Sequence, residues 1–182
     1  MASIITNGQQ IIGFPDWFSD LAIVRHFGFL TVTVGAMIAI AVIAWVILQF
    51  RPAGRALYAI GGSAEVARLA GINVRATTLW VYVVCAALAG LAGIILSARL
   101  DSAQPSSGIG YELDTIAAVV IGGASLSGGV GSIGGTALGV LIIGVLRNGL
   151  NLLGVSPFVQ QVVIGLVIAI AVAADTLRRR GD

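Results

Sequence analysis

Residues 115–146 hold no ionisable side chain, an unbroken run of 32 residues that calls for a solvent other than water. Residues 27–50, 76–98 and 157–174 are uncharged in the same way. A helix rises about 1.5 Å per residue, so about 20 residues cross the roughly 30 Å hydrocarbon core of a bilayer. Three of the runs are long enough, and 157–174, with 18 residues, just reaches. Burial inside a water-soluble protein is excluded by the lack of a polar shell. Only 10% of the 182 residues are charged, against about 25% in soluble domains. The expected fold is all-α, a polytopic membrane helical bundle with the lipid bilayer as its surroundings.

Charge between the runs sets the expected orientation. The loop after the first run carries Arg51, Arg55, Arg68 and Arg75 against Glu65 alone, and the tail carries Arg178, Arg179 and Arg180. Arginine-rich loops stay on the cytoplasmic side. The loop 99–114 holds Arg99 against Asp101, Glu112 and Asp114, and is expected outside. With the tail inside, the chain must leave the outside after 114 and return to it before 157. The sequence GGASLSGGVGSIGG at 122–135 is the place for the turn, since clustered glycines break helices. Two segments are expected, about 115–127 and 133–146, turning near 128–131. The first is short for a crossing and open to a re-entrant course, which needs surrounding protein or a water-filled cavity. The layout is then an extracytoplasmic segment 1–27 and a transmembrane domain 28–174 of about five segments with a glycine-broken hairpin. A cytoplasmic loop 51–76, an external loop 99–114 and a cytoplasmic tail 175–182 complete it. Pro15, Pro52, Pro105 and Pro157 all fall at edges or in loops, as their missing N–H requires.

The cytoplasmic loop has internal order. Ser63 can cap a short helix over 64–70 and Gly71 can end it. Glu65 stands near the positive end and Arg68 near the negative end, and the two are spaced i,i+3. Such a capped helix between two spans is either a docking knob for a cytoplasmic partner or a solvated loop, and local physics leaves both open. Elsewhere the residues argue against chemistry. The chain has no lysine, so no phosphate-binding Gly-x-x-x-x-Gly-Lys-Ser/Thr loop can exist. Leu126-Ser-Gly-Gly129 spells most of an ATPase signature, but it lies in an uncharged membrane run. His26 and Cys85 each stand alone, and no basic tract points to nucleic acid. No metal site, cofactor or catalytic residue is expected. Close helix packing or the lining of a pathway are both open to Gly122, Gly123, Ser125, Ser127, Gly128 and Gly129. Tyr111, Glu112 and Asp114 read as part of a solvated external loop. Gln160 and Gln161 enter the last run, where a bond between helices is favoured over lining a path. Trp17, Trp45 and Trp80 lie near the proposed interfaces.

Several long stretches carry a resemblance. They are IITNGQQIIGFP (4–15), GRALYAIGGSAEVARLAGIN (54–73), LAGIILSARLDSAQP (91–105), GYELDTIAAVVIGGASLSGG (110–129) and NGLNLLGVS (148–156). Together they resemble the permeases of ribose-type, monosaccharide ABC importers over nearly the whole chain. The resemblance implies a non-enzymatic transmembrane component in the bacterial cytoplasmic (inner) membrane, working by alternating access. It implies a cytoplasmic ABC ATPase subunit, a periplasmic sugar-binding protein, and a second permease copy or a complementary N-terminal half as partners. The match to the family's coupling segment makes Gly61, Gly62, Ser63, Glu65, Arg68 and Gly71 the candidates for ATPase docking. Gln104, Tyr111, Glu112 and Asp114 become candidates for contact with the binding protein. Ser125, Ser127, Asn148 and Asn151 are the neutral side chains available to sugar hydroxyls. Family members are roughly twice as long, so the chain corresponds to their second half. A permease for a branched-chain amino acid and a non-transporting fragment are the alternatives.

Overall fold

The computed structural model describes residues 9, 11–15, 18, 25, 26, 30–104 and 106–180. Trp17, Pro105, most of the 1–27 segment, the side chains of His26 and of Arg178–Arg180, and the last two residues lie outside this description. The described chain divides into two compact units, one of residues 1–44 and 75–109, the other of 45–74 and 110–182.

The first unit contains most of helix α1 (Val32–Phe50) and all but the first residue of helix α4 (Val74–Leu100). Both are apolar from end to end. No residue of α1 is buried, and in α4 only Ala98 is. Short backbone ladders stand beside these helices. Strand β1 (Ile11–Ile12) pairs antiparallel with β4 (Ser102–Ala103), joining the N-terminal stretch to the loop after α4. Strand β2 (Arg25–His26) pairs with β3 (Leu30–Thr31) just before α1.

The second unit holds the remaining helices. Pro52 opens helix α2 (Pro52–Gly62), where its fixed φ and missing N–H cost nothing. Gly54 lets this helix fold tightly back, since a Cβ there would strike the carbonyl of Leu48. Helix α3 (Ala64–Leu69) follows after one residue. Then come α5 (Tyr111–Ile121), α6 (Ile133–Leu152) and α7 (Pro157–Arg180). The core of the unit is small: Ala117 and Ala118 of α5, Ile143 of α6 and Ile164 of α7, flanked by Ile121 and Ile168.

Among the described residues three helices are long and apolar enough to cross a membrane: α1, α4 and α6. The apolar part of α7, Pro157–Ala173, is shorter. Helix α5 has 11 residues, rising about 16 Å, half of a bilayer core. The chain is thus a helical, multi-pass membrane bundle, as its composition required.

Three boundaries of the hairpin differ from expectation, beginning with the start of its first arm at 111 rather than 115. The first arm of the hairpin ends at 121 rather than 127, and the second runs to 152 rather than 146. The break spans 122–132 because Gly123 adopts φ +84°, a left-handed conformation that stops α5 well before Gly128. The second arm runs past the charge that closes the uncharged stretch, because Arg147 finds a partner there. Helix α2 stands where a loop is expected: its three glycines lower helix propensity, and the proline at its first position is the signal that outweighs them.

Candidate functional site

The short helix α3 is built as its sequence directs. The Ser63 hydroxyl accepts from the Val66 N–H at 3.3 Å. Gly71 takes φ +83°, and the Ile72 N–H closes the end on the carbonyl of Ala67. Glu65 lies in the first turn and Arg68 in the last, each matching the helix dipole. Both are exposed, and no ion pair joins them among the described contacts. Ser63 also caps α2, because its own N–H donates to the carbonyl of Ala59 at 3.0 Å. One extended residue therefore ends α2 and starts α3. Only Ala67 of α3 is buried, while Val66 and Leu69 are 64% and 81% exposed. These two apolar side chains are not among the candidates the sequence offered; branched residues within a capped, charge-bearing six-residue helix are the signal that could have found them.

The hairpin packs by glycine. Along the two arms, a Cβ on Gly139 would strike the carbonyl of Ala118, and one on Gly122 would strike the backbone of Gly135. Small residues at 118, 122, 135 and 139 let the backbones of α5 and α6 touch, the usual solution where lipid removes the hydrophobic drive between helices. Gly123 lies in open space, and its positive φ is its reason for being glycine.

The tip of the hairpin meets α2. The Tyr58 hydroxyl, half-buried, donates to the carbonyl of Gly131 at 2.8 Å. A Cβ on Gly61 would strike the N of Gly129, one on Gly128 would lie 2.6 Å from the Gly61 carbonyl oxygen, and one on Gly129 would lie 3.1 Å from the N of Gly62. Gly128 and Gly129 have φ of +89° and +77°. Two sets of residues that the sequence offered separately, Gly61 and Gly62 in one and Gly128 and Gly129 in the other, are thus one backbone-to-backbone contact. Tyr58 does not stand out in the sequence, because its partner is a carbonyl 73 residues away. Ser125 and Ser127 shape the tip itself: the Ser125 N–H donates to the Val130 carbonyl, and the Ser127 N–H to the Ser125 hydroxyl.

The other end of the hairpin is charged. Arg147 Nη1 meets Asp114 Oδ2 at 2.9 Å, and the guanidinium lies 5.7 Å from the centre of the Tyr111 ring. Asp114 Oδ1 and Arg147 Nε are buried without a partner. The solvated-loop reading of Tyr111, Glu112 and Asp114 is corrected: all three form the first turn of α5, where acidic side chains suit the helix dipole. Glu112 accepts from the N–H of Gly110, a buried residue in a left-handed turn. Gln104 remains in the exposed loop ahead of this turn.

Other candidates are not brought together. Asn148 lies 15 residues beyond the start of α6, roughly 22 Å from the tip that holds Ser125 and Ser127. The four neutral side chains therefore do not form one sugar site within this chain. Gln160 is buried, and its Nε2 donates to the carbonyl of Val155, just ahead of its own helix, at 2.9 Å. The expected bond between helices is replaced by a local cap. Among the described residues no group of His, Cys, Asp or Glu is placed to hold a metal.

Comparison with known proteins gives this architecture a context. The profile of a family described as branched-chain amino acid transport system / permease component matches residues 1–172. The ribose import permease protein RbsC of Bacillus subtilis (strain 168) is 51% identical over 174 residues, 94% of this chain and 54% of that protein. The protein of the same name from Escherichia coli (strain K12) is 48% identical over 180 residues, 97% of this chain and 56% of that one. The L-arabinose transport system permease protein AraH of the same strain is 39% identical over 180 residues, 99% and 55% of the two chains. The chain thus spans about half the length of these relatives. No solved structure matches it.

Proposed function

The chain belongs to the family of branched-chain amino acid transport permease components, multi-pass proteins of the cytoplasmic membrane, and from that premise we propose that it forms half of the membrane pathway of an ABC importer for a monosaccharide. The observation that carries the sugar assignment is the identity of 51% and 48% to two ribose import permeases, with 39% to an arabinose permease, across more than nine-tenths of this chain. The breadth of the family's own description favours a second reading, a permease for a branched-chain amino acid.

In the proposed mechanism a separate cytoplasmic ATPase grips α3. Val66 and Leu69 supply apolar anchors, and Glu65 and Arg68 supply orientation through their charges. Gly61, Gly62, Ser63 and Gly71 give α3 its fixed position. ATP-driven movement of that segment changes the access of the pathway by rigid movement of the attached helices. No bond of the sugar is made or broken here. The β1–β4 ladder supports placing the N-terminal stretch and the 99–114 loop on one side of the membrane. There Gln104 and the Tyr111–Asp114 turn would face a periplasmic binding protein. A complementary N-terminal half, or a second permease copy, would provide the opposite wall.

Expression with a complementary half, an ATPase and a binding protein of a ribose system tests this reading in cells lacking their own uptake. Labelled ribose is expected to accumulate, and Arg68→Glu is expected to weaken recovery of the ATPase with the chain by about tenfold. Accumulation of leucine instead of ribose would favour the second reading. Absence of bound ATPase in the parent complex would reduce the chain to a non-transporting membrane fragment.

A further inference from the structure

We propose that Tyr58, with the bare-backbone contact of Gly61 against Gly128 and Gly129, is the joint through which movement of the docking helix reaches the hairpin 111–152. The inference rests on the permease reading above and adds to it the residues that carry the movement and the element that receives it. Three observations place the joint. First, α3 and α2 articulate on the single residue Ser63, which caps both helices. A displacement of α3 therefore passes into α2 with no intervening loop to absorb it. Second, α2 ends in direct backbone contact with the hairpin tip. Side chains there could rotate and yield, but Gly61, Gly128 and Gly129 have none, and a Cβ at any of them would meet backbone. Third, the contact has one directional tie, the Tyr58 hydroxyl on the Gly131 carbonyl at 2.8 Å.

The receiving element is able to move as one piece. Its arms are locked along the 118/122–135/139 seam, and the Asp114–Arg147 pair fastens the end away from the tip. A push at the tip is then converted into tilting of the whole hairpin rather than into spreading of its arms. Coupling of this kind requires an element with discrete arrangements that both ends bias. Tyr58 acts on transport through the Gly131 backbone and is a positioning residue, not a residue of the sugar path.

The test is the sugar moved per ATP hydrolysed, measured with the full importer in proteoliposomes using labelled ribose. Tyr58→Phe keeps the ring and removes only the hydroxyl. It is expected to lower uptake per ATP about fivefold, the worth of one neutral hydrogen bond, while ATPase recovery with the complex is retained. Gly128→Ala is expected to act in the same direction and more strongly, because its backbone is left-handed and its space is filled. A variant that merely unfolds lowers uptake, hydrolysis and recovered complex together. That result for Tyr58→Phe would overturn the joint, as would an unchanged ratio. Parent complexes that hydrolyse ATP and transport ribose, beside a Tyr58→Phe complex with the same ratio, would remove the joint and leave the permease reading standing. Parent complexes that neither bind an ATPase nor transport would remove both.

Discussion

Helices α4 and α6 are both long and apolar, yet glycines within them have opposite surroundings. Both carry small residues, mainly alanine in α4 and mainly glycine in α6. Gly90 and Gly93 of α4 face open space, with nothing within 4 Å of a Cβ built on them. Gly135 and Gly139 of α6 have no such room, because α5 lies against them. The difference lies in the neighbour. Hydropathy determines that both helices enter the bilayer, and it does so without regard to what they touch. Packing requires small residues that match across two helices, and α5 and α6 carry them at positions joined by a short glycine turn.

This contrast is broken most severely at the seam. Gly139→Ala drives a methyl group into the Ala118 carbonyl, a site that cannot relax without parting the arms. It is expected to lower stability by about 1–3 kcal/mol, read as an earlier thermal transition in detergent. The same change at Gly90 is the control: with open space around it, better helix propensity is expected to leave stability unchanged or raise it by up to about 1 kcal/mol. Equal losses at both positions would show that glycine serves the bilayer rather than the seam.

The charged end sharpens the comparison with a smaller effect. Asp114 and Arg147 have side chains 17% and 34% exposed, so solvent screens much of their attraction. A double-mutant cycle with Asp114→Asn and Arg147→Gln is expected to give a coupling of about 1 kcal/mol. Removing Arg147 alone is expected to cost more than the double change, because it leaves the Asp114 carboxylate in a mostly buried place without its partner. Additive single changes would show that the pair does not fasten the arms.

The parts of this architecture that rest on local chemistry are legible in the sequence. The four apolar runs became helix α1, helix α4, the α5–α6 hairpin and helix α7, with outer ends shifted by a few residues. Ser63 and Gly71 bound α3 as their capping preferences require. The parts that rest on distant contacts are not. Tyr58 looks like any interfacial tyrosine until Gly131 is placed beside it. Gly61 is offered by the sequence only as a docking candidate, yet it sits inside a helix with its bare backbone against the hairpin tip. Arg147 closes the same uncharged run that Asp114 opens. A hairpin necessarily brings two such brackets to one end, so that pair lies within reach of the sequence, although charge counting alone does not bring it out.

The docking helix and the hairpin tip are predicted to share the ATP-side face of the membrane. Leu69 and Leu126 are 81% and 59% exposed, so each can be changed to cysteine singly in a Cys85→Ser background. A maleimide that cannot cross the bilayer is predicted to label both when added to inverted vesicles, whose cytoplasmic face is turned outward, and neither when added to intact cells. Labelling of Leu126→Cys from the outside, with Leu69→Cys reached only from within, would put the hairpin tip on the opposite face from α3.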